Sequence, residues 1–221
     1  MPVAAACLVP AAPVLLPWLT GTDVPEVEPV RAAVTRALDV LDDCDRVLLV
    51  AHERAGTLAG FGSVLPSPVP SRARGSWPHE LAHALLDSRP GHPAMPDWRP
   101  GREETSWPRV AGDPAGWLAQ QDAVRARTGL LLLADGSRTR GPRAPGGEDP
   151  RGGVVDRALA AAVRGHRRVS TRARRAAPAV GADACDAVDV LAAVGGRRPP
   201  VLHLADAPLG VGYLVATWRL A

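Results

Sequence analysis

The segment that most constrains the fold is a short, uninterrupted apolar run, Leu130–Ala134, that opens onto the polar turn Asp135-Gly136-Ser137-Arg138. A run of this length is too short for a helix and is typical of a strand buried on both faces of a parallel sheet. Open α/β sheets bind ligands at the carboxyl ends of their strands, where the chain turns away from the sheet. We therefore expect Asp135, Gly136, Ser137 and Arg138 to line a ligand-binding pocket.

The N-terminal segment predicts a βαβ unit. Val3–Val9 and Arg46–Ala51 are apolar runs of strand length, and the intervening Glu28–Leu41 has apolar residues at the spacing of one buried helix face. This order requires parallel strands joined by a right-handed crossover. Later segments complete an α/β fold with a central, mostly parallel (mixed) sheet flanked by helices: helices over about Val154–Val163 and Ala182–Val194, and strands over Val201–Ala205 and Gly212–Trp218.

The segment at about 56–113 is irregular and rich in proline. Its clearest element is a short helix, Pro78–Leu86, which we expect on the surface. A second helix is predicted over about 113–127, where Asp113 and Pro114 supply an N-cap and a first-turn proline. With 221 residues the chain is most simply a single α/β domain, 1–221, that contains this insert.

The composition argues against several classes of protein. Three well-separated cysteines without C-x-x-C spacing fit a reduced cytoplasmic protein and exclude a cysteine-based zinc site. No basic residue precedes Arg31, and prolines interrupt the apolar N-terminus, so we expect neither a signal peptide nor a membrane partner. The net charge is only +3, and a basic cluster without interleaved aromatic residues predicts a solvated surface and no nucleic-acid partner: Arg164, Arg167, Arg168, Arg172, Arg174 and Arg175.

His79-Glu80-Leu81-Ala82-His83 matches H-E-x-x-H, the zinc-peptidase signature. Histidines at i and i+4 share one helix face and can both bind zinc, with Glu80 as general base and Glu103 at a spacing used for a third ligand. Pro78, however, places His79 at a helix start, and the proline-rich segment before it cannot form a substrate-holding edge strand. A zinc-dependent hydrolase through these residues is therefore a second alternative.

Several stretches match a known pattern, in order along nearly the whole chain: Val9–Pro17, Gly56–Gly62, Leu131–Ser137, Arg143–Gly146, Asp149, Asp156 and Asp206–Ala216. Together they resemble the class III extradiol ring-cleavage dioxygenase B-subunit-like family, particularly its divergent, alanine-rich actinobacterial branch. The Asp-Gly-Ser turn with its Ala-Pro-Gly sequel and the terminal Gly-Val-Gly-Tyr strand are the most specific pair. The resemblance implies an α/β sheet with a pocket at one end.

In active members of that family, two histidines and a glutamate hold Fe(II), and a further histidine acts as acid and base. Carried over, the first metal histidine falls at Ala11 or Ala12, and the acid/base histidine falls at Arg138. His52 directly follows the second strand, near the expected place of the second metal histidine, and Asp206 is the nearest carboxylate for the third ligand. The family thus implies Fe(II), but its ligands are not matched.

These observations leave three functions open. The first is a non-catalytic or repurposed homologue that binds a small anionic or aromatic ligand or a partner. In it Arg138 either clamps an anion or only pairs with Asp135 or Asp149 to hold its loop. The second is an active oxidoreductase, a catechol-type dioxygenase with an altered ligand set, and the third is the zinc hydrolase. A homo-oligomer is also open, because three tryptophans could form an interface or pack into their own loops: Trp77, Trp98 and Trp107.

Overall fold

The computed structural model describes residues 3–20, 24–56, 58–61, 76–88, 101–106, 116–117, 119–120, 126–194 and 199–219. Within these ranges the chain forms a six-stranded sheet with the strand order β3-β2-β4-β1-β6-β5. The strands are β1 (Val3–Val9), β2 (Arg46–Ala51), β3 (Gly101–Ser106), β4 (Thr128–Leu133), β5 (Val201–Asp206) and β6 (Tyr213–Arg219).

The sheet is mixed, as the sequence predicts. Strands β3, β2, β4 and β1 are mutually parallel, whereas β6 is antiparallel to both of its neighbours, β1 and β5. The carboxyl ends of β1, β2, β4 and β5 therefore meet at the same edge of the sheet, where β6 begins. The predicted α/β fold with a mostly parallel sheet is confirmed.

Helices cover both faces of the sheet. They are α1 (Pro17–Thr20), α2 (Glu28–Leu38), α3 (Trp77–Asp87), α4 (Pro150–Arg164), α5 (Thr171–Ala176) and α6 (Ala184–Val194). Leu131 and Leu133 of β4 belong to the core formed with α2 and α3, and Leu130 and Leu132 belong to the core formed with α4, α5 and α6. Strand β4 is thus buried on both faces, as its unbroken apolar run predicts.

Two helices begin or end at places that local chemistry explains. Helix α4 starts at Pro150, earlier than predicted, because the carboxylate of Asp149 caps it by accepting a hydrogen bond from the Arg151 N–H at 2.8 Å. Helix α2 ends at Leu38, and the last predicted turn, Asp39–Leu41, is a 3-10 helix. The short helix α5 was not predicted.

The segment predicted as irregular contributes more regular structure than expected. Strand β3 pairs in parallel with β2, but its sequence Gly-Arg-Glu-Glu-Thr-Ser has no apolar run by which it could be predicted. The expectation that α3 lies on the surface is wrong, since His79 and His83 are 3% and 4% exposed. The helix predicted over about 113–127 lies largely outside the described residues, as do Trp98 and Trp107.

The three cysteines are buried. In the part of the chain that the structure describes, none of the helices is long and apolar enough to cross a membrane. The basic cluster is partly paired rather than wholly solvated. Arg174 binds the carboxylates of Asp186 and Asp189 at 2.7 and 2.6 Å, which fastens α5 to α6.

Candidate functional site

Four charged side chains meet at the carboxyl edge of the sheet, and we call them the Asp135 cluster: Arg54, Asp135, Arg138 and Asp183. Arg54 follows β2, Asp135 and Arg138 follow β4, and Asp183 directly precedes α6. Because β2 and β4 are adjacent and parallel, their carboxyl ends deliver these residues to one place. The last residues of β1 lead to Ala11, which also contacts this cluster.

Backbone and side-chain donors converge on the two carboxylates. Asp135 Oδ1 accepts a hydrogen bond from the Ala11 N–H at 3.0 Å, and Asp183 Oδ1 accepts one from the Asp135 N–H at 2.6 Å. Asp135 Oδ2 lies 3.8 Å from a guanidinium nitrogen of Arg54 and 3.8 Å from one of Arg138. Asp183 Oδ2 accepts a hydrogen bond from Arg54 and lies 4.0 Å from Arg138. Each carboxylate is therefore held by both arginines.

The cluster is buried at its base and open at Arg138. The Asp135 side chain is 5% exposed, whereas that of Arg138 is 37% exposed. Burial first, and then the charge of Asp183, raise the pKa of Asp135 from 3.8 to about 7, against the opposing effect of the two arginines. Burial and the charge of Asp135 raise the pKa of Tyr213 to about 12. Asp135 thus titrates near neutral pH, while Tyr213 keeps its proton.

An aromatic ring lies against the Arg54 guanidinium. Its central carbon lies 5.3 Å from the centre of the Trp77 ring, a cation–π distance. Trp77 packs edge-to-face on Phe61 with ring centres 5.5 Å apart, and Phe61 is 50% exposed. Trp77 therefore packs inside its own protein and offers the cluster an apolar wall.

Gly136 and Ser137, the other residues of the Asp-Gly-Ser turn, contact α4 and do not face an open pocket. Ser137 donates hydrogen bonds from its N–H and its hydroxyl to the two oxygens of Asp156, at 2.7 and 2.8 Å, and is fully buried. Gly136 has no room for a side chain, because a Cβ there would lie 2.8 Å from the Gly212 carbonyl oxygen and 2.6 Å from Asp156. Gly136 and Ser137 are positioning residues for the turn.

The predicted site residues are only partly brought together. Asp135 and Arg138 meet, and of the two pairings proposed for Arg138 the structure shows the one with Asp135, because Asp149 pairs with Arg151. His52 is half-buried just after β2, but the side chain of that segment that reaches Asp135 is Arg54. Asp206 is exposed and lines a separate cleft.

Arg54 and Asp183 were missed by sequence reasoning. Arg54 comes three residues after a buried strand, so its position at the sheet edge was a usable signal. Asp183 lies 48 positions from Asp135 in sequence, and no local pattern marks their contact.

The residues present do not fit an Fe(II) centre of the kind that the family resemblance implies. Ala11 and Ala12 supply no side-chain ligand, and the N–H of Ala11 holds Asp135. Both carboxylates of the cluster are engaged by guanidinium groups. Among the described residues, no group of three or more histidine, cysteine, aspartate or glutamate side chains could hold a metal ion.

The H-E-x-x-H residues fasten α3 to β3. His79 Nε2 donates to the Thr105 carbonyl at 3.1 Å, so its Nδ1 accepts from the Ser76 hydroxyl at 2.9 Å. His83 Nε2 pairs with Glu104 at 2.9 Å, and its Nδ1 faces Arg102 at 3.3 Å.

The two carboxylates of the zinc hypothesis are engaged elsewhere. Glu80 accepts a hydrogen bond from the Leu58 N–H at 2.7 Å, and Glu103 pairs with Arg46 instead of approaching the histidines. Every side chain proposed for zinc therefore has a protein partner, and the arrangement does not fit a zinc site.

Comparisons with known proteins give no functional assignment. No protein-family model matches the chain, and no curated protein matches it. The crystal structure of an uncharacterized protein from Escherichia coli K12 is similar at a TM-score of 0.43 and 11% sequence identity, over 97% of this chain and 99% of that one. A similarity of this degree carries no inference, so the chemistry of the site rests on the side chains described above.

The close approach of α4 to the Asp-Gly-Ser turn predicts opposite effects at two adjacent glycines. A Cβ at Gly152 would collide with the Thr139 hydroxyl and lie 2.9 Å from Ser137 Oγ, so Gly152→Ala is expected to lower the free energy of unfolding by about 2 kcal/mol. At Gly153 the nearest atom is the flexible end of Arg157, 3.4 Å away, so Gly153→Ala is expected to add about 0.5 kcal/mol. Urea unfolding measures the free energy of unfolding of both variants. Equal changes in the two variants would contradict the close approach of α4 to the turn.

Burial of Asp135 predicts how stability depends on pH. Since its pKa is higher in the folded chain than in the unfolded one, the folded chain holds more protons between about pH 4 and about pH 7, and stability falls as pH rises through that range. The variant Asp135→Asn lacks this titration. We expect the free energy of unfolding of the wild type, relative to Asp135→Asn, to decrease from about pH 5 to about pH 8. A difference that stays constant or increases would contradict the raised pKa.

The α3–β3 contacts predict a structural role for His83. His83→Ala removes the hydrogen-bond partner of Glu104 and leaves a cavity at a position that is 4% exposed, so we expect a loss of about 2 kcal/mol in the free energy of unfolding. Thermal unfolding of the wild type should be the same with and without a chelator, because every side chain proposed for zinc has a protein partner. A melting temperature that drops on chelation and is restored by zinc would instead support the peptidase motif.

Proposed function

We propose that the protein binds a small carboxylate or phosphate compound at the Asp135 cluster and carries out no iron-dependent ring cleavage. The observation that supports this is the convergence of two guanidinium groups, from Arg54 and Arg138, on the Asp135 carboxylate at the carboxyl edge of the sheet. Planar guanidinium groups match the two oxygens of a carboxylate or the oxygens of a phosphate.

The charge balance of the cluster favours an added anion. With both aspartates ionised, the two arginines are neutralised within the cluster. With Asp135 protonated, which its raised pKa allows near neutral pH, one positive charge is left over at the exposed side of Arg138. A bound anion then replaces the charge that Asp135 has given up, without burying an unpaired arginine.

The aromatic wall beside Arg54 restricts the ligand further. Trp77 lies next to the guanidinium, and the half-exposed Phe61 extends the apolar surface from Trp77. A carboxylate attached to an aromatic or other apolar body would bury that body against these rings while its charge faces the arginines. We therefore favour an apolar or aromatic carboxylate over a free inorganic anion.

The family resemblance is consistent with a repurposed binding site. Its matching stretches Val9–Pro17, Leu131–Ser137 and Asp206–Ala216 all reach the sheet edge that carries the cluster. At the places of the metal and acid/base histidines this chain has Ala11 or Ala12 and Arg138, and an arginine neither ligates a cation nor exchanges a proton near neutral pH. We propose a dioxygenase-like protein whose pocket is retained for binding.

Removal of Arg138 is the direct test of this function. With benzoate and inorganic phosphate as probes, isothermal titration calorimetry should show binding of benzoate to the wild type and about tenfold weaker binding to Arg138→Ala, the loss of one charge-assisted hydrogen-bond partner. The exposed Arg175→Ala is the matched control and should bind like the wild type. Unchanged affinity in Arg138→Ala, or equal loss in both variants, would contradict the proposal.

Metal analysis separates this function from the oxygenase alternative. Protein purified under anaerobic conditions should contain no stoichiometric iron, because the donor set does not fit the ion. Stoichiometric iron that disappears in Asp135→Asn would overturn the binding function and support a dioxygenase with an altered ligand set.

A further inference from the structure

A second concave site lies on the face of the sheet covered by α4. It is a cleft of about 370 Å³ between α4 and the ends of β5 and β6, and we call it the α4 cleft. Arg140, Arg157 and Arg164 line it together with Asp156 and Asp206. A volume of this size is within the range of small-molecule sites.

The α4 cleft has an excess of positive charge. Arg140 binds Asp156 Oδ2 at 2.9 Å, and Ser137 donates one hydrogen bond to each oxygen of Asp156, so the charges of Arg140 and Asp156 balance each other. Arg157 and Arg164 are exposed and have neither an ion pair nor a hydrogen bond within the part of the chain that the structure describes. Against these two charges stands the single carboxylate of Asp206, which already accepts a hydrogen bond from the Ala207 N–H at 2.7 Å.

The helix sets the spacing of the two unpaired arginines. Arg157 and Arg164 are seven positions apart, which places them on the same face of α4 about 10 Å apart along its axis. Ala160 lies between them on that face, and Ala205 and Leu214 of the sheet lie opposite. Small apolar side chains thus separate two anion-binding groups.

We propose that the α4 cleft binds a small dianion, in which two carboxylate or phosphate groups are joined by a short apolar spacer. One anionic group pairs with Arg157 and the other with Arg164, while the spacer lies over Ala160. The site needs neither Arg54 nor Arg138, so it stands independently of the function proposed for the Asp135 cluster.

Titration with defined probes tests this site. Adipate carries two carboxylates on an apolar chain, hexanoate carries one on a chain of the same length, and pyrophosphate carries phosphate charge without a spacer. We expect the wild type to bind adipate about tenfold more tightly than hexanoate, and Arg157→Gln or Arg164→Gln to remove this preference. If pyrophosphate binds more tightly than adipate, the proposal that the ligand has an apolar spacer is wrong.

Matched variants keep the outcome interpretable. Arg172→Gln removes an exposed arginine on α5, outside the cleft, and should leave adipate binding unchanged. Ala205→Glu adds a negative charge at an exposed position in the cleft and should weaken adipate binding about tenfold. Chemical-shift changes in a two-dimensional NMR spectrum show whether adipate contacts α4, and thermal unfolding checks that each variant is folded.

Three outcomes would contradict the proposal that the α4 cleft binds a dianion. The first is no adipate binding at millimolar concentration, and the second is an equal loss of adipate affinity in Arg172→Gln. The third is a loss of adipate affinity in Arg138→Ala while Arg157→Gln binds adipate like the wild type. The last places the anion at the Asp135 cluster instead. Conversely, benzoate affinity that is unchanged in Arg138→Ala contradicts only the binding site proposed at the Asp135 cluster. The failure of one proposal can therefore be distinguished from the failure of the other.

Discussion

The buried carboxylate of Asp135 is the interaction on which the edge of the sheet depends. It accepts a hydrogen bond from the backbone after β1 and faces an arginine after β2, and its own N–H donates to the residue before α6. Three strand ends and a helix start are therefore joined through one residue. Burying a carboxylate without partners would cost several kcal/mol, and Arg54 and Arg138 offset that cost.

A second carboxylate, Asp156, ties the same turn to α4. Its oxygens accept hydrogen bonds from Ser137 and Arg140, and glycines at 136 and 212 let the backbone approach it. The turn after β4 is consequently fixed on both sides. The turn therefore holds Arg138 in the Asp135 cluster and Arg140, paired with Asp156, at the α4 cleft, and it borders both of the sites that we propose for anions.

The sequence predicts the parts of the fold that local chemistry determines. The apolar run Leu130–Ala134 and the spacing of apolar residues within α2 can be recognised from the sequence alone. A strand buried on both faces has an unbroken apolar run, and a helix buried on one face has apolar residues at every third or fourth position. Strand β3 cannot be recognised from the sequence, since this polar edge strand has no apolar pattern. The turn after β4 lies at the carboxyl edge of the sheet, as predicted, because β4 is a buried strand parallel to both of its neighbours.

The side-chain partners could not be predicted in the same way. Asp183 meets Asp135 only because α6 begins beside β4 in the folded chain. His79 and His83 are polar, which favoured a surface position, yet hydrogen bonds to Ser76, Thr105 and Glu104 satisfy them in the interior. Tertiary contacts, and not residue type, decide whether such groups bind a metal or hold two elements together.

The most direct test follows the Asp135 carboxyl carbon by NMR in a pH titration, with and without benzoate. We expect a pKa of about 7 for Asp135 in the free protein, and a higher pKa with benzoate bound, because an anion beside Arg138 favours the protonated acid. A carboxyl group that titrates at its ordinary value of 3.8, and whose pKa benzoate leaves unchanged, would contradict both the burial and the binding site.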